Sequence, residues 1–76
     1  MSMSDLAIIV VRLPAGQVVR FQGILDGEDG LATLRCRNPE TNEQQLWTTQ
    51  AQLGELRAWI GSLPDALQVE IVREEV

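Results

Sequence analysis

Residues 6–13, LAIIVVRL, constrain this chain more than any other stretch. The run is dense in β-branched side chains and too short for a convincing helix, so it reads as a strand. Alternation along a strand puts Ala7, Ile9, Val11 and Leu13 on one face and Leu6, Ile8, Val10 and Arg12 on the other. A strand that is apolar front and back belongs at the centre of a sheet and has to be covered twice. The chain has 76 residues with which to do this. A domain of that size buries only about 60% of its unfolded surface, so its core is marginal and a partner surface would add to it.

The next elements follow from spacing and from the residues that interrupt it. Pro14 is preset for a first helical turn and Gly16 lets the backbone bend. Val18, Phe21, Ile24 and Leu25 then recur at helical spacing as a single stripe. Gly27 and Gly30 bracket Glu28 and Asp29, which predicts a helix end and a swing into a strand. Residues 31–37 alternate, sending Ala32, Leu34 and Cys36 toward the core and Leu31, Thr33, Arg35 and Arg37 away from it. Asn38, Pro39, Glu40, Thr41 and Asn42 make a turn, with Asn42 tolerant of positive φ. Residues 44–48 return as a strand on which Leu46 and Trp47 point to opposite faces.

Thr49 and Gln52 have the spacing of a capping box, and Leu53, Leu56, Trp59, Ile60 and Leu63 supply the stripe of a second helix closed by Gly61 and Pro64. Residues 66–73 alternate once more, with Leu67, Val69 and Ile71 inward, and Arg73, Glu74 and Glu75 are expected as a solvated tail.

The order βαββαβ predicts an α+β, ferredoxin-like split βαβ domain over residues 1–76, with a structured core of about residues 6–73. Its sheet is expected to be antiparallel, in the order 4-1-3-2, with both helices on one face. The opposite face then carries Leu6, Ile8, Val10, Arg12, Trp47 and Val72, with Arg35 and Arg37 on the rim. An apolar patch on an uncovered sheet marks a partner site. A second copy is the simplest cover, which predicts a homodimer. Another protein is the alternative partner.

Residue chemistry narrows the function. There is no His, Tyr or Lys, so the usual general bases near neutral pH are missing and no catalytic residue is assigned. Cys36 is alone, which rules out an internal disulfide and cysteine-rich metal sites; no metal and no cofactor is expected. A net charge of −5, with all six cations arginine, argues against nucleic acid. No run resembles a membrane span or an export signal, so a cytoplasmic protein without membrane contact is expected. The first strand-to-helix turn offers a second candidate site. Free amides at a helix start favour an anion, and Arg12, Leu13, Pro14, Ala15, Gly16 and Gln17 are the residues that could bind a small-molecule effector there.

The stretch FQGILDGEDGLATLRCRNPETN, with its return strand and second helix, resembles a small bacterial domain family of unknown function, most distinctively over residues 29–35. The likeness implies the same βαββαβ order and no assigned activity. The junction of Leu13, Pro14, Ala15 and Gly16 also resembles the ACT-type regulatory domains, which bind amino acids near that turn at a dimer interface. That likeness implies an amino-acid or similar anionic effector, although those domains place an acidic residue before an uninterrupted Pro–Gly and this chain has Leu13 and an intervening Ala15.

Overall fold

A computed structural model describes residues 5–75. Strand β1 (Leu6–Arg12) leads through a 3-10 turn at Ala15–Gln17 into helix α1 (Val18–Asp26). The hairpin of β2 (Thr33–Asn38) and β3 (Glu43–Thr49) follows, then a 3-10 turn at Gln50–Gln52 and helix α2 (Leu53–Gly61). A last 3-10 turn at Asp65–Leu67 precedes β4 (Glu70–Glu75). All strand pairs are antiparallel, and the order β2-β3-β1-β4 is the expected 4-1-3-2 read from the other edge. The fold is the ferredoxin-like α+β architecture. Among the described residues, no helix is long and apolar enough to cross a membrane.

Both helices pack on one sheet face. Ala7, Ile9, Val11 and Leu13 meet Val18, Phe21 and Leu25 of α1 and Leu53, Leu56 and Ile60 of α2, with Leu46 from β3 completing the layer. Phe21 and Trp59 join the helices, with ring centroids 5.7 Å apart. This dry layer is the main source of stability, since apolar burial contributes about 25 cal/mol per Å².

Several expectations are corrected, because turns and a bulge displaced the alternation. Leu31 was expected to face away from the core, yet it is buried within it. The chain is still turning there: Gly30 has φ +74, and β2 starts only at Thr33. The Leu31 carbonyl is held by the Thr48 hydroxyl at 2.7 Å and the Gly30 carbonyl by the Gln52 amide at 3.0 Å, so the whole turn is tied to the elements beside it. Cys36 was expected inward and is exposed. Its φ is +53 and the β2–β3 register slips between Arg35 and Asn38, so a bulge turns its side chain out. The last strand begins at Glu70, four residues later than expected, because Pro64 opens a turn that ends in left-handed Gln68. Leu67 reaches the core from that turn, while Ile71, expected to be covered by the helices, lies on an edge strand and stays 39% exposed. Arg73, Glu74 and Glu75 belong to β4, not to a solvated tail.

Candidate functional site

Strand registers arrange the helix-free face as a grid. Thr33, Trp47, Ile8 and Glu75 lie across one row, and Arg35, Gln45, Val10 and Arg73 across the next. Glu43, Arg12 and Glu70 form the row beyond, while Leu6 and Thr49 lie at the opposite end. Polarity therefore changes along the strands.

At the Arg12 end the face is closed by its own charges. Arg12 pairs with Glu43 at 3.2 Å and Glu70 at 3.7 Å, and Arg73 pairs with Glu43 at 3.4 Å and Glu75 at 2.9 Å. This chain of alternating sign spans β3, β1 and β4. Hydrogen bonding to Glu75, ahead of the nearby Glu43 charge, raises the Arg73 pKa. Val10 lies between these side chains with 1% exposure, so the apolar residue at the centre of the face is shielded without any partner.

The other end is more open. Leu6, Ile8 and Trp47 are half-buried there. The Trp47 indole N–H donates to Gln45 Oε1 at 2.8 Å, and the Arg35 guanidinium carbon sits 5.8 Å from the ring centroid. These contacts fix the ring orientation, since an indole with its polar edge satisfied and a cation over its face has few alternative poses. A groove of about 360 Å³ runs beside it, walled by Leu6, Thr33, Arg35, Trp47 and Thr49 and floored near Gly30 and Leu31.

The remaining candidate residues lie apart. Val72 falls in a β-bulge between Ile71 and Arg73 and is half-buried. Arg37 sits in the bulge of β2 and is exposed. At the first turn, Leu13 is core, Ala15 and Gly16 are exposed, and the Gln17 N–H is already taken by the Pro14 carbonyl at 2.9 Å. Arg12 points to the helix-free face and is engaged by two carboxylates, so its charge is not brought to that turn. Among the described residues, no group of three His, Cys, Asp or Glu is placed to hold a metal ion.

Sequence reasoning missed Gln44. It lies on the helix-covered face with 0% exposure, and neither polar atom of its amide has a hydrogen-bond partner. Strict alternation from Leu46 back through Gln44 was the available signal. Missed as well was the bidentate pair of Arg57 on α2 with Glu74 on β4, at 2.6 and 2.7 Å. No family model matches the chain, and no curated protein or solved structure matches it either.

Proposed function

We propose that this domain is a non-enzymatic protein-interaction module that homodimerises through its helix-free sheet face, centred on Leu6, Ile8 and Trp47. One observation carries the reading. The apolar side chains gather at the end of the face where Trp47 is held ready by Arg35 and Gln45, whereas the Arg12 end already shields Val10 with its own ion pairs. Oriented aromatic side chains beside a groove are the usual anchors of protein interfaces.

Light scattering coupled to size exclusion tests the proposal. A mass near twice 8.4 kDa is expected at high micromolar concentration, and Trp47→Glu is expected to give the single-chain mass by placing a charge in the contact. A wild-type monomer at that concentration removes the reading. The competing ACT-like reading, an amino-acid site at residues 13–17, loses the cation assigned to it, because Arg12 is paired elsewhere. Thermal-shift measurements against the twenty amino acids separate the two. Saturation at 100 times Kd stabilises by about 2.7 kcal/mol, so a binder is visible and its absence leaves the interaction module.

A further inference from the structure

Two grooves meet at Leu31 and Gln52. One passes onto the helix-free face beside Arg35 and Trp47, and the other passes over the helix layer beside Glu28, Asp29, Glu55 and Trp59. Together they make one strip whose ends carry opposite charge. The cationic end is not neutralised within the chain. Arg12, Arg57 and Arg73 each have a carboxylate partner, whereas among the described residues no ion pair engages Arg35, which lines the first groove, Arg37, which lies two residues further along β2 beyond that lining, or Arg20 on α1. Glu28, Asp29 and Glu55 likewise take part in no ion pair among the described residues, and these three, like Arg35 and Arg37, are exposed. In a chain with net charge −5, two of the three arginines without an ion pair thus sit on one edge strand.

A strip that is positive at one end and negative at the other complements itself under two-fold rotation, because each end of one copy then meets the opposite end of its partner. We propose that the occupant of this strip is a second copy, docked about a two-fold axis beside residues 31–33. Glu28, Asp29 and Glu55 of one protomer then face Arg35 and Arg37 of the other, and the reverse contact repeats on the far side of the axis. The inference rests on the self-association proposed above and adds the residues that set its orientation. Any arrangement that brings like ends together opposes two arginines to two arginines, or three carboxylates to three. Individually such exposed pairs are weak; symmetry doubles their number, and they discriminate against the wrong orientation more than they add to affinity.

Charge exchange tests this. Arg35→Glu with Arg37→Glu in one variant, and Glu28→Arg with Asp29→Arg in another, are each expected to raise the dimer Kd by roughly tenfold or more in sedimentation velocity, because like charge then faces like. Mixed in equal amounts, the two variants are expected to recover most of the wild-type affinity as a heterodimer, since the reversed positions of one face the reversed positions of the other with opposite sign and only Glu55 of the second variant is left facing like charge. The inference is overturned if either variant dimerises as wild type does, or if the mixture does not restore association. A wild-type dimer broken by Trp47→Glu but indifferent to both charge variants keeps the sheet-face reading and removes this one. A monomeric wild type removes both. Circular dichroism verifies the fold of each variant, and Arg35→Gln with Arg37→Gln replaces the charge reversal should that variant not fold, with a smaller loss of affinity expected.

Discussion

Gln44 is the residue most at odds with its surroundings. Burying an amide without hydrogen bonds costs more than its methylenes return, whereas an apolar side chain of similar shape has nothing to leave unpaired. Gln44→Met is therefore expected to stabilise the domain by about 1–2 kcal/mol in urea unfolding. A destabilisation of similar size would mean that the amide has a partner in solution. Gly30 makes the opposite case. Its φ of +74 is one that side chains rarely adopt, although the space around it is open. Gly30→Ala is expected to cost about 1 kcal/mol through the backbone alone. Gly23, on the exposed side of α1 with nothing within 4 Å of an added Cβ, is expected to gain about 0.5–1 kcal/mol on substitution by alanine, through helix propensity. Urea curves for this pair separate a strained turn from a merely poor helix former.

Among the elements, those whose signal is local were legible in the sequence. The start of α1 at Val18, the turn ending in positive-φ Asn42 and the Thr49 cap depend on residues a few positions apart, and all three are present. The cap differs in detail. The Thr49 hydroxyl accepts from the Gln52 N–H at 3.3 Å, but the Gln52 side chain reaches back to the hydroxyl and not to the backbone of residue 49: its Oε1 accepts from Thr49 Oγ1 at 3.1 Å while its amide donates to the Gly30 carbonyl. What was not legible depends on distant pairing. A bulge at Cys36 or a delayed β4 is decided by the neighbouring strand, and alternation in sequence carries no mark of it. For the same reason the candidate site was legible as a set of residues on one face, while the ion pairs that split that face in two were not. The Arg57–Glu74 link between α2 and β4 makes a prediction at this scale. Hydrogen bonding from Arg57 holds the Glu74 carboxyl below the ordinary glutamate range. The folded pKa is thus lower than the unfolded one, so the link stabilises fully above about pH 4.3 and is lost as pH falls through the folded value. Glu74→Gln is expected to lose less stability than wild type between neutral pH and pH ~3. Equal losses would show that the pair does not form in solution.

For the whole molecule, the central fact is a sheet of four strands with helices on one side only. Two short helices cover the inner face of β1 and leave the outer face to its own side chains, which suffice for Val10 but leave Leu6, Ile8 and Trp47 half-buried. A chain this small gains from a second copy in proportion to the apolar surface it cannot cover alone. Trp47 can report on this directly, because Trp59 is the only other tryptophan and Trp59→Phe makes it the sole emitter. The decisive measurement is the fluorescence of that variant across a dilution series from high to sub-micromolar protein. The account predicts that emission shifts to the blue and acrylamide quenching weakens as concentration rises, because the indole passes from a half-wet surface into a contact. Emission and quenching that do not change with concentration, in samples where the scattering mass of both the variant and the wild type stays that of one chain, would contradict it.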